Sequence, residues 1–176
     1  MDRQDSPYRR GNLYTAMPIP MVPEMCIPVD AGPVRLVVES RQLTNAILAD
    51  TYRDQEIPEA HVEFDDHGPT LHVCGASDGL EHLRFDCFEN EPHYHYVRNA
   101  DGGNLICRID EHAEGDPIDW TIGRLRDRLP EMLEFAGVPE LATQTRARSS
   151  EVLSAVSQVA ELLNRARARA IADHGR

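Results

Sequence analysis

Apolar and polar residues alternate with a period of two through residues 61–110, and beyond residue 117 the apolar spacing changes to three and four. The first pattern is that of strands, whose successive side chains point to opposite faces, and the second is that of helices. Within Leu80–Val97, Leu83, Phe85 and Cys87 share one face, and His82, Arg84 and Asp86 share the other. His93 and His95 then point one way, Tyr94 and Tyr96 the other. A turn at Glu89-Asn90-Glu91-Pro92 makes these two runs a hairpin. The hairpin sets Asp86 opposite His95, Cys87 opposite Tyr94 and Phe85 opposite Tyr96, so polar meets polar and apolar meets apolar.

The same rule extends outward. His61–Asp65 and Thr70–Cys74 flank Asp66-His67-Gly68-Pro69, read as a turn, with Glu63 opposite His72. Ser77-Asp78-Gly79 suits a three-residue hairpin loop and pairs Val73 with Leu83, Leu71 with Phe85 and His72 with Arg84. Asp101-Gly102 leads into Asn104–Asp110 and sets His95 opposite Arg108 and Tyr96 opposite Cys107. The polar rows are then Glu63, His72, Arg84 and Thr70, Asp86, His95, Arg108. The expected fold is α+β: an antiparallel β-meander of five to six strands, with helices on one face and a long C-terminal helix. Val34–Glu39 supplies the sixth strand, and Ser40 caps a helix over about 41–54.

Asp116 and Pro117 open a further helix, with Ile118, Ile122, Leu125, Leu129 and Met132 as its apolar stripe. Pro130 interrupts it near Arg128–Leu129, and Gly137 and Pro139 stop it. Trp120 lies off the stripe and is expected against the sheet edge or the N-terminal arm. Residues 140–148 read as a polar linker. From Ser149 to about Ala172, the residues Val152, Val156, Val159, Leu163, Ala166 and Ala170 form an a/d seam. The chain thus divides into a Pro-rich extended arm (1–33), an α+β core (34–139) and a linker with an oligomerisation helix (140–176). The arm is apolar yet broken by prolines, so it must lie on its own subunit or on a neighbour. Seam and arm together predict a homo-oligomer.

Composition narrows the function. The net charge is −12 and no lysine occurs. An acidic surface repels phosphate backbones, so nucleic acid is not an expected partner. The absence of lysine excludes Schiff-base chemistry. No apolar run is long enough for a membrane span and no secretory signal is evident. Four cysteines without paired spacing read as reduced, mostly buried thiols, which points to the cytoplasm.

The candidate chemistry lies on the polar sheet face. His93-Tyr94-His95 resembles the HxH that opens the metal motif of cupin barrels. The resemblance covers those three residues; the Glu expected after them and the Gly pattern before them are missing. Two His at i, i+2 on one strand face suit a metal, so His93, His95 and His72 form a candidate set for zinc or non-haem iron. Arg84 and Arg108, with His72 and Glu63 beside them, suit a small anionic ligand instead. In a catalytic pocket, His95 would act as general base oriented by Asp86. The expectation is therefore a small cytoplasmic protein with a His/Asp/Arg-lined pocket for an anionic ligand or a metal. The alternative is a non-catalytic homo-oligomeric accessory or assembly protein whose polar face is structural.

Overall fold

The computed structural model describes residues 11–53 and 65–174. Among the described residues the chain is α+β, built on one antiparallel sheet of seven strands, not the expected five to six, in the order β1-β7-β6-β5-β4-β3-β2. The strands are β1 (Asn12–Tyr14), β2 (Cys26–Ala31), β3 (Val34–Thr44), β4 (Asp65–Gly75), β5 (Glu81–Asp86), β6 (His93–Arg98) and β7 (Gly103–Arg108). Strands β2 to β7 form a meander, and β1 closes the far edge beside β7. Both flanking strands come from the proline-rich arm, because edge strands tolerate proline where central ones do not. Pro28, for example, stands opposite Val37 on the β2 edge. Between β1 and β2 the chain must cross the whole sheet, and it does so over the polar face.

Two local expectations give way to the ladder. Asp66-His67-Gly68-Pro69 is not a turn. It continues β4, which pairs with β3 over the full register from Val34↔Gly75 to Thr44↔Asp65. Gly68 is required there by close approach: a Cβ would stand 2.6 Å from the Cys87 carbonyl oxygen. Likewise, residues 40–44 stay in β3. The helix begins later, as α1 (Asn45–Thr51), with the Thr44 side chain accepting from the Ile47 amide. The predicted strand at His61–Phe64, including Glu63, lies outside the described residues.

The apolar face carries the main core. Leu36, Leu71, Val73, Leu83 and Phe85 are fully buried there. Over them lie α3 (Pro117–Asp127), α4 (Leu129–Phe135) and α6 (Ser149–His174). A short α2 (Glu111–Glu114) precedes α3, and the expected linker at 140–148 is instead a helix, α5 (Pro139–Ala147), with proline in its first turn. Asp116 caps α3 through the amides of Ile118 and Asp119. Its carboxylate also takes both terminal nitrogens of Arg167, at 2.7 and 2.9 Å, tying α6 to the start of α3. Trp120 packs on Phe85 and Tyr94 under the helices rather than at the sheet edge. One helix departs from the expected layering: α1 sits on the polar side, where Leu48 and Tyr52 pack with Ile19, Leu43 and Phe88.

The α6 seam is buried within the chain itself. Val152, Val156, Val159 and Leu163 belong to the main core, and α6 contacts β2, β3 and β4. Leu163 is 0% exposed. Leu163→Ala should therefore cost about 2–5 kcal/mol of folding stability in chemical denaturation. Loss of oligomeric mass in light scattering without loss of stability would show that the seam pairs subunits instead.

All four cysteines are free. Burial pushes the Cys87 thiol up to about 12 and the Cys74 thiol up to about 11, which keeps both protonated and inert. Among the described residues, no helix is long and apolar enough to cross a membrane.

Candidate metal centre

Cross-strand pairing produces two rows on the polar face. One runs Glu39, Thr70, Asp86, His93, Arg108, and the other Val37, His72, Arg84, His95, Ile106. Asp86 thus stands directly opposite His93, and His95 opposite Arg84 and Ile106. The expected pairs Asp86–His95 and His95–Arg108 are displaced by two residues. A shift of two preserves the face of every side chain, so Asp86 and His95 still meet, now on a diagonal, while Arg108 pairs with Glu91 instead.

Around His72 the face is an internally satisfied ion network. His72 is fully buried, with Nε2 2.9 Å from Glu39 Oε2 and Nδ1 bonded to Glu81 Oε1. Arg84 holds Glu81 in a two-pronged pair, both contacts at 2.8 Å. At the other end, Arg41 donates to Glu39 at 2.9 Å. An irregularity in the β4–β5 ladder at Val73/Cys74 sets Glu81 opposite Cys74 and so lets it join this face. Burial opposes charge on His72, but its bonds to Glu39 and Glu81 outweigh it and raise its pKa above the usual imidazole value. His72 has no free nitrogen and is not a ligand beside His93 and His95. Arg84 is neutralised by Glu81 and is not free to clamp an anion.

The arm crosses this network and is pinned by it. The Ile19 carbonyl accepts from Arg41 at 3.0 Å and from Arg84 at 2.8 Å. The Val22 amide donates to Glu39 at 3.0 Å, and Tyr52 donates to the Met17 carbonyl at 2.7 Å.

The second half of the face is different. Asp86 is 2% exposed. Its Oδ1 accepts from Thr70 Oγ1, while Oδ2 lies 3.0 Å from His95 Nε2 and 3.3 Å from His93 Nε2. One donor atom from each of Asp86, His93 and His95 lies within 4.8 Å of the other two. The far nitrogens are also held. His95 Nδ1 is 2.8 Å from Asn104 Oδ1, and His93 Nδ1 is 2.7 Å from the Glu91 carbonyl oxygen. Asn104 is oriented in turn by its own Nδ2, which donates to the Ala16 carbonyl at 3.2 Å. The Glu91 carbonyl is fixed by Asp66, a buried carboxylate that accepts from the amides of Asn90 and Glu91 at 3.1 and 2.8 Å.

These partners decide the tautomers. Both outer partners are oxygen acceptors, so both Nδ1 atoms must carry the proton. In the neutral rings the Nε2 lone pairs then aim at Asp86 Oδ2, itself a lone-pair donor. A neutral His95 cannot satisfy both contacts. Burial is the largest influence on His95 and lowers its pKa, against the pull of Asp86. For His93 burial also opposes charge, but the Asp86 bond prevails and raises the pKa. Burial would raise Asp86, yet the two histidines hold its carboxyl well below the usual carboxylate range.

The three groups line a cavity of about 270 Å³. Its walls are Pro18 and Ile19 of the arm, Leu43, Leu48, Tyr52, Tyr14 and Ile106, and Glu91 and Arg108 lie at its edge. Arg108 is exposed and pairs with Glu91 at 3.2 Å. Glu39, Glu81, Asn104 and the Glu91 carbonyl were not anticipated from the sequence. Continuing the period of two past Glu39 to Arg41 and Leu43 is the signal that would have found the first. No curated protein and no solved structure matches this chain. Residues 28–173 match the model of a family described as a domain of unknown function, DUF7700, and the chain belongs to that family.

Proposed function

We propose that Asp86, His93 and His95 hold one divalent metal ion, zinc or iron(II), at the floor of a small-ligand pocket. The observation that carries this reading is the convergence of Asp86 Oδ2 and the Nε2 atoms of His93 and His95, with both rings held from behind through Nδ1. The spacings agree. Ligands about 2.1 Å from a metal stand roughly 3.0 Å apart at right angles and roughly 3.4 Å apart at the tetrahedral angle. The contacts of 3.0 and 3.3 Å fall on that scale. Two imidazoles and one carboxylate leave coordination positions open towards the cavity, where the ion can polarise a bound water or carbonyl.

The geometry favours this over metal-free acid–base work by His95. A general base needs one ring nitrogen facing the substrate, and both nitrogens of His95 are engaged, one by Asn104 and one by Asp86. A purely structural polar face, as in an accessory protein, fits the His72 half, where every charge has its partner. It does not account for the Nε2 lone pair that a neutral His95 turns towards Asp86.

The test is metal analysis of the purified chain after dialysis against zinc or iron(II). The expected result is about one ion per chain, removed by a chelator and accompanied by a raised melting temperature on reloading. Retention of no stoichiometric ion under either condition would overturn the reading.

A further inference from the structure

Loading the site changes the charge of the cavity. A divalent ion with one carboxylate and two neutral imidazoles carries a net charge of +1. No wall of the cavity cancels it. Arg84 and Glu81 neutralise one another, as do Arg108 and Glu91, and the remaining wall is uncharged: the amides of Asn12 and Asn104, the aromatic Tyr14 and Tyr52, and the apolar Pro18, Ile19, Leu43, Leu48 and Ile106. An uncompensated charge in such surroundings is costly, and a bound monoanion removes it.

Arg108 shows where that anion can also be gripped. It stands directly across the strand pair from His93, on the same face, so its guanidinium and the ion flank one region of the cavity. Among the described residues its partner is Glu91, an exposed side chain at 3.2 and 3.4 Å. Pairs of that kind are weak and exchange readily. A planar carboxylate matches the guanidinium fork. Phosphate would bring more charge and more oxygens than one arginine can serve, and among the described residues neither a glycine-rich loop nor a helix N-terminus lines the cavity. The size of the cavity, about 270 Å³, lies at the small end of ligand pockets.

From this charge count and these walls we infer that the pocket takes a small monocarboxylate with an apolar body. Its carboxylate sits between the metal and Arg108, and its chain lies against Ile19, Leu43, Leu48 and Ile106. The inference rests on the metal reading above. Glu91 is a built-in competitor for Arg108, and Glu91→Gln keeps the backbone carbonyl that orients His93.

The experiment loads the full chain with cobalt(II), whose visible absorption reports its coordination, and titrates hexanoate, acetate and hexanamide. Hexanoate should saturate one site. Acetate should bind at least about tenfold more weakly, since each buried methylene is worth roughly fourfold. Hexanamide should leave the spectrum unchanged. Glu91→Gln should tighten hexanoate, and Arg108→Gln should weaken it about tenfold. Equal binding of hexanamide, or acetate as tight as hexanoate, would overturn the inference. If one cobalt binds and hexanoate does nothing, this inference alone falls. If no cobalt binds, the metal reading falls and takes this one with it.

Discussion

Replacing both His93 and His95 with alanine should abolish stoichiometric metal uptake, and Asp86→Asn should weaken it more than 100-fold, the largest functional effects expected in the molecule. The scale follows from what lies behind the ligands. Loss of an outer partner that orients a ligating histidine typically costs about 10–100-fold in affinity. Asn104→Ala should fall in that range, because it releases the proton of His95 Nδ1 from its acceptor and leaves the ring free to take the other tautomer. Loss of a ligand removes a bond to the ion itself and should cost more. The ranking of ligand, then Asn104, then Arg108 is measurable by competition with a coloured chelator. A double alanine variant that still binds one ion would place the metal elsewhere. A folded Asn104→Ala protein with unchanged affinity would remove the tautomer argument.

The largest effect on stability should come from Glu39→Ala, at about 3–5 kcal/mol, the usual cost of breaking a buried pair by removing one partner. Glu39 is 1% exposed and its carboxylate serves three donors: Arg41, His72 and the Val22 amide. Its removal leaves two buried cations facing each other without the charge between them. The pH dependence has a definite sign. Glu81 is opposed by burial but held down to about 2 by His72 and Arg84, below its ordinary 4.5. Its stabilisation is complete above about pH 4.5 and is lost as the pH falls towards 2. His72 is raised above its ordinary 6.5, so its share is complete below that pH and is lost as the pH climbs through the folded value. The network should therefore stabilise most between about pH 4.5 and 6.5. Urea midpoints on both sides of that window test it. In Glu39→Gln the alkaline decline should shrink, because His72 loses one of the carboxylates that raise it.

Parity explains how much of this was legible. Side chains in a strand alternate, so a register wrong by two still assigns each residue to the correct face. That is why Asp86, His93 and His95 emerge together although the hairpin between β5 and β6 is not a tight turn. The link spans residues 87–92, and the Cys87 and Glu89 amides bond back to the carbonyls of Pro69 and His67 on β4. Asp66 then gathers the Asn90 and Glu91 amides. Such a loop is set by a neighbouring strand, which hairpin propensity does not see. The same holds for Asp66-His67-Gly68-Pro69 and for Ser40, whose local preferences yield to the long ladder between β3 and β4. The helix limits at Asp116, Pro130 and Gly137 were readable because caps and breakers act within a few residues. The α6 seam was readable as a seam, but heptad spacing fits a sheet as well as a second helix, and its partner is β2–β4. His72 falls outside the Asp86, His93 and His95 cluster for a related reason: Glu39 reaches it from β3, a strand that runs further than its first apolar run suggests.

The Ile19 carbonyl sets the tempo of this site. Two guanidinium groups, one from β3 and one from β5, close on that single oxygen. Lifting the arm would take that acceptor from both at once and leave each guanidinium only its carboxylate. The arm over the cavity is therefore pinned, and for a ligand of the proposed pocket the expected way in is the end where the exposed Glu91–Arg108 pair can part. Ligands too broad for it should be excluded outright instead of admitted slowly, and exchange rates should follow the ionic strength that loosens one exposed pair, not the breathing of the fold.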